Sequence, residues 1–177
     1  MSMIDQTIIP VPLGFQFASG RAGFKYRDRD DLGLIWSQNS CMAGGTFTRN
    51  RFQAAPVVVA KDALSRQESF RGLVVNAGQA NACTGQTGLD NCRASLRIAA
   101  QGLGLEPEQL LPASTGVIGH QMDLSKWQRA MDGIDVTGTT QGPLDVARAM
   151  STTHTFPKLA WRTVAQEGNR IRLLGMA

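Results

Sequence analysis

The stretch RGLVVNAGQANACTGQTGLDNCRASLRIAAQGLGLEPEQLLPASTGVIGH, residues 71–120, changes its periodicity twice. It begins with an apolar, β-branched run at Leu73-Val74-Val75 that breaks into a loop of small residues. Such a run bounded by glycine and asparagine predicts a buried strand. Further on, Leu89, Cys92, Leu96 and Ala99 recur at helical spacing, with Asp90 near the start and Gly102 as the predicted stop. EPEQLLPASTGVIG (106–119) then carries the chain back through a strand into Ser114-Thr115-Gly116. Strand, helix, strand within fifty residues predicts an α/β fold.

The flanks extend that pattern. GFQFASG (14–20), LGLIWS (32–37) and GTFTRN (45–50) read as strands, and PVVVA (56–60) as a β-branched strand turning helical after Lys61. MDLSKWQRAMDGI (122–134) predicts a helix capped by Asp123 or Ser125, with Leu124, Trp127 and Met131 on one side. A further helix in PLDVARAM (143–150) should stop near the threonines, because Pro157 disfavours helix for the residue before it. NRIRLLGMA (169–177) reads as a closing strand. There is no repeat, linker or low-complexity tract, so residues 1–177 read as a single α/β unit.

Composition excludes several classes of function. The formal net charge is +4, and its arginines and lysines are scattered, whereas a nucleic-acid footprint is a clustered basic stripe. Nucleic acid is therefore not the expected partner. Three cysteines, Cys41, Cys83 and Cys92, form no CxxC pair, which argues against a disulfide framework and suits a reducing compartment. The N-terminal MSMIDQTIIPVPLGF lacks the basic and apolar regions of a signal peptide, and no segment has the apolar length of a membrane span. Cytoplasmic residence without membrane contact is the expectation.

Three stretches can carry chemistry. In ASTGVIGH (113–120), a strand ending in Ser114-Thr115-Gly116 offers hydroxyls beside a glycine whose N–H a ligand oxygen can approach. Two donors aimed at one oxygen make an oxyanion hole; a tight turn satisfying its own backbone is the alternative. NAGQANACTG (76–85) suggests close backbone approach, to a ligand or to another segment. Cys83 lacks a recognisable base in His120 or His154, and Cys83, Cys92 and a histidine match no zinc spacing. STTHTFPK (151–158) can hold a carboxylate between hydroxyls and an ammonium, or can be only a helix stop. No nucleophile with its base and no phosphate loop is present, so the nucleophile is expected on another chain.

In order along the sequence, PLGFQFASGRAGFK, DDLGLIWS, GTFTRNRFQAAPV, VVNAGQANACTG, ASTGVIG, MSTTHTFPK and GMA resemble the bifunctional glutamate N-acetyltransferase family, also called ornithine acetyltransferase. The resemblance implies a precursor that cleaves itself into an α and a β chain, with this sequence as the α chain. It implies a layered α/β sandwich of the self-cleaving N-terminal-threonine acyltransferase type, completed by the β chain and assembled as a heterotetramer or larger oligomer of αβ units. It implies acetyl transfer from N-acetylornithine to glutamate through an acyl-threonine on the β chain, with acetyl-CoA a second candidate donor and neither cofactor nor metal. Thr115 and Gly116 match the family's oxyanion hole, Thr152 its substrate contact, and Thr153 is an adjacent candidate. His154 stands where the family usually has Asp, which bears on substrate preference, and the family's Lys-Gly-rich stretch before the cleavage point is expected beyond Ala177. A hydrolase of the same architecture, acting as amidase or aminopeptidase, and a catalytically silent relative are the alternatives.

Overall fold

A computed structural model describes residues 9–137, 142–152 and 156–177. Strands β1 (Phe15–Gly20), β2 (Leu32–Met42), β3 (Ser69–Gln79) and β4 (Leu110–Val117) form one sheet in that order. The first two pairings are antiparallel, and β3 pairs parallel with β4. That parallel step needs a crossover, which the long helix α2 (Gly85–Leu103) supplies. The predicted strand-helix-strand unit is therefore present, and the chain is α/β.

Register fixes what each face carries. Leu34, Val74 and Pro112 lie across from one another, as do Leu32, Asn76 and Ser114. This face packs against α1 (Ala55–Arg66), α2 and α3 (Leu124–Gly133), giving a core that includes Leu32, Leu34, Trp36, Val74, Cys92, Leu96, Leu110 and Trp127. The opposite face carries Gly33, Val75 and Ala113 in one row and Ala77 and Thr115 in the next. There α4 (Pro143–Met150) packs so closely that a Cβ on Gly33 would stand 3.0 Å from Val146. Beyond α4 the same face is only half covered: Ile35, Leu73, Leu111, Ala113 and Thr115 are all partly exposed.

Three predicted elements differ, and one strand was not predicted. Residues 45–50 form no strand, because the Thr48 hydroxyl accepts from Asn50 N at 3.1 Å and the Asn50 carboxamide from Phe52 N at 2.9 Å. Local side chains thus take the N–H groups that a ladder would use. Residues 55–66 are helical throughout: a proline in the first turn sets the entry, and Ala55, Val59 and Ala60 are buried. Packing overrides the β-branched run, whose helix penalty is only about 0.5 kcal/mol per residue. The α2 helix runs through Gly102, and Gly104, at φ 64°, is the left-handed residue at its end. Residues Leu159–Gln166 form a strand, β5, paired antiparallel with β6 (Asn169–Met176) as a separate two-stranded ribbon. Its apolar residues lack clean alternation, and Trp161, Val164, Ile171 and Leu173 stay exposed.

The cysteines are free, and burial separates their chemistry: Cys83 is exposed, while Cys92 is buried and burial pushes its thiol up to about 12 against a smaller opposing pull from Arg93. Iodoacetamide at mildly alkaline pH is expected to label Cys83 in the folded full-length protein and to leave Cys92 unlabelled until denaturant is added. Peptide mass spectrometry reads this directly, and equal labelling of the two under native conditions would contradict the core described above.

Candidate active site

The predicted oxyanion residues lie at the C-terminal end of β4, where register places Thr115 beside Ala77 and Gly116 beside Gly78. Both glycines have positive φ, 112° at Gly78 and 134° at Gly116, so both strands bend at the same level. The two backbones touch there. A Cβ on Gly116 would stand 2.2 Å from the Gly78 carbonyl carbon and 2.6 Å from Gln79 N. No side chain fits, so the glycine is dictated by packing as well as by conformation.

Alternation sends the two neighbouring hydroxyls to opposite faces. Ser114 points into the core and donates to the Asn76 carboxamide oxygen at 2.6 Å. Thr115 points to the α4 side, where the described residues offer its hydroxyl no hydrogen-bond partner. Ser114 thus bonds a side chain of the neighbouring strand, and not the local backbone that the tight-turn alternative requires.

The loop after β3 is largely structural. Asn81 is fully buried at φ 47°; it donates to Gly88 O at 2.9 Å and accepts from the Thr84 hydroxyl at 2.7 Å. Its own carbonyl receives Ala55 N, which ties the loop to the start of α1. Close backbone approach in this segment thus serves another segment at Gly78 and Asn81. Cys83 lies exposed before α2, Cys92 lies inside the core, and among the described residues no hydrogen bond joins Cys83 to His120.

Thr152 follows α4 on the same side of the sheet as Thr115. Its carbonyl accepts from the Tyr26 hydroxyl at 2.9 Å, and the preceding Ser151 carbonyl accepts from Arg29. The Arg29 guanidinium lies 3.8 Å over the Tyr26 ring, so the two donors brace each other. Beside them is a recess of about 330 Å³ lined by Ser19, Arg29, Asp145, Arg148, Ser151 and Phe156. Charges of both signs line it. Thr153 and His154 lie outside the described residues.

Two residues not singled out from sequence organise this end of the sheet. Asp31, wholly buried, accepts from the backbone N–H groups of Ala22, Gly23 and Phe24 at 2.7, 3.2 and 2.6 Å. Asn76, also wholly buried, bonds Gln79 O and Ser114. An Asp directly before a strand, and an Asn inside an apolar one, were the available signals.

A family model described as the ArgJ family matches residues 16–177. The arginine biosynthesis bifunctional protein ArgJ of Nitratidesulfovibrio vulgaris is 48% identical over 166 residues, covering 94% of this chain and 42% of that protein. Its namesake from Thermotoga neapolitana is 39% identical over 168 residues, with the same coverage of 94% and 42%. The chain thus spans about two-fifths of the length of these curated relatives. Among solved structures, ArgJ from Bacillus halodurans is similar with a TM-score of 0.86 at 27% identity, covering 94% of this chain and 86% of that one. The ornithine acetyltransferase of Mycobacterium tuberculosis, solved in complex with ornithine, follows with a TM-score of 0.79 at 28% identity, covering 96% and 90%. Family model, sequence relatives and fold agree over nearly the whole length of the chain, which belongs to the ArgJ family.

Proposed function

We propose that this chain is the α part of a glutamate N-acetyltransferase that moves acetyl from N-acetylornithine to glutamate. The observation that carries the reading is the end of β4: a Thr115 hydroxyl without a hydrogen-bond partner among the described residues, beside a Gly116 that admits no side chain. Such a pair can stabilise an acyl oxyanion, and family membership supplies the acyl transfer. The ornithine bound in the Mycobacterium tuberculosis relative supports the substrate class.

In this reading the nucleophile is a threonine at the start of a β chain released by self-cleavage. Its own α-amine takes the hydroxyl proton as the oxygen attacks the acetyl carbonyl. The tetrahedral oxyanion rests on Thr115 and Gly116. Collapse breaks the C–N bond, the ornithine amine leaves with the proton, and acetyl stays on the threonine. The amine of glutamate then attacks that ester through a second oxyanion in the same hole and regenerates the hydroxyl. Thr152 contacts the substrate, and the recess lined by Arg29 and Asp145 receives its charged groups, a reading supported by the charges of both signs in that lining. The β chain covers the half-exposed side of the sheet at Leu73 and Leu111, and the αβ units assemble further, as a heterotetramer in the smallest case. Free cysteines support a reducing, cytoplasmic setting. Acetyl-CoA remains a second candidate donor.

The test is intact-mass spectrometry of the full-length protein mixed with N-acetylornithine. The expected result is two polypeptides, with an acetyl mass added to the one lacking this sequence and removed on adding glutamate. Loss of the acetyl mass in buffer alone, unaccelerated by glutamate, selects the hydrolase. An uncut or never-acetylated protein overturns the transferase reading and favours a silent relative.

A further inference from the structure

Asn76 is an anomaly in its strand. It lies in register between Leu32 and Ser114, wholly buried on the face that builds the apolar core. A buried carboxamide costs free energy unless its groups are paired, and the core needs no polar atom at this position. Both of its groups are used. The amide nitrogen donates to Gln79 O at 2.8 Å, and the oxygen accepts from Ser114 Oγ at 2.6 Å. Because Gln79 O can only accept, the orientation of the carboxamide is fixed.

These two partners enclose the candidate hole. Ser114 immediately precedes Thr115, and Gln79 supplies one of the backbone atoms against which Gly116 packs. One side chain thus ties the residue before the hole to the peptide behind it. From this juxtaposition we infer that Asn76, acting with Ser114, is a positioning residue that holds Thr115 and Gly116 where the oxyanion forms. The inference rests on the reading of Thr115 and Gly116 as the hole. Asn76 touches no reacting atom; it fixes donors whose displacement by about 1 Å can lower a rate about a hundredfold.

The carboxamide can be tested with its own acid. In Asn76→Asp the ionised carboxylate cannot donate to Gln79 O and repels it, whereas the protonated acid donates one O–H there and still accepts from Ser114. Burial raises the pKa of such a group above the ordinary carboxylate range. The variant should therefore lose kcat by about a hundredfold at alkaline pH, with KM little changed, and its ratio to the parent should recover at least about tenfold as pH falls. Ionisable groups near this corner include Lys25 against Gly78, Asp31, Lys126 and Cys92, with Cys83 and His120 on the segments that follow β3 and β4. None of them hydrogen bonds Asn76, and all are common to parent and variant. The ratio of the two pH profiles therefore reports residue 76.

The measurements are made on the full-length protein, with circular dichroism and melting curves for every variant. Ser114→Ala, which removes one of the two bonds, should lower kcat about tenfold without a pH-dependent ratio. A flat ratio for folded N76D, or a raised KM at unchanged kcat, overturns the inference. If N76D fails to fold, S114A decides alone, and parental kcat there overturns it. Thr115→Ala separates the inference from its premise. A loss of about 10²–10³ in kcat is expected if the hole is as described. Parental kcat in T115A removes the hole itself, whereas a large loss in T115A with parental N76D and S114A removes only the positioning role.

Discussion

Gly116→Ala is expected to inactivate the full-length protein and to lower its unfolding free energy by about 4 kcal/mol, combining overpacking with a non-glycine residue at positive φ. The new Cβ would stand 2.2 Å from Gly78 C and 2.6 Å from both Gly78 Cα and Gln79 N. These are backbone atoms of the neighbouring strand, so no rotamer change can relieve the overlap. Strands β3 and β4 would have to separate at their C-terminal ends, which moves Thr115 with them. Gly133→Ala is the control: Gly133 lies in the last turn of α3 with open space where its Cβ would be. That change should be neutral or slightly stabilising. Denaturant melts and acetyl-transfer rates of the two variants check both halves of the expectation, and a G116A loss no larger than that of G133A would show that the strands do not meet as described.

The same contact marks how far the sequence could be read. A break in periodicity at Ser114-Thr115-Gly116 locates a strand end, and glycine there suggests a bend. Adjacent hydroxyls look equivalent on paper, but the pleat divides them, giving Ser114 to Asn76 and leaving Thr115 on the open face. Which hydroxyl faces the site depends on register against β3, and register is a long-range property. The role of Asn76 is not legible in the sequence for a related reason, since its partner Ser114 is 38 residues away. The misread local elements have physical causes too. Val57, Val58 and Val59 favour a strand in isolation, yet Pro56 and the packing of Val59 against the core make a helix. GTFTRN has strand composition, but Thr48 and Asn50 close their own turns. The α2 helix was legible because its apolar spacing spans several turns, and the Asp123 cap because its carboxylate accepts from Ser125 N at 3.0 Å within three residues. That hydrogen bonding from Ser125 also holds the Asp123 carboxyl below its usual range.

Asp31→Ala should give the second large effect, a loss of about 4 kcal/mol in stability together with a raised KM for the acetyl donor. Three buried or half-buried N–H groups, those of Ala22, Gly23 and Phe24, lose their acceptor at once. Hydrogen bonds to a charged group contribute about 1.5–3 kcal/mol each and do not add fully within one cluster, which brings the expected total near that figure. Asp31→Asn keeps the shape but turns one acceptor into a donor facing donors, so it should recover only part of the loss. The catalytic consequence follows the loop. Phe24 packs on Trp127 with ring centroids 5.5 Å apart, and Lys126 donates to Gly23 O at 2.8 Å, so the first part of the loop has other anchors. Tyr26 and Arg29 lie between those anchors and β2, and they hold the carbonyls of Thr152 and Ser151. Freed at Asp31, the loop would let these two donors drift and Thr152 with them, while Thr115 on β4 stays in place. KM should therefore rise more than kcat falls, the reverse of the pattern expected when the hole itself is disturbed. A D31A protein within about 1 kcal/mol of the parent would mean that water replaces the carboxylate. Falls in kcat at unchanged KM would mean that the loop supports the hole and not Thr152.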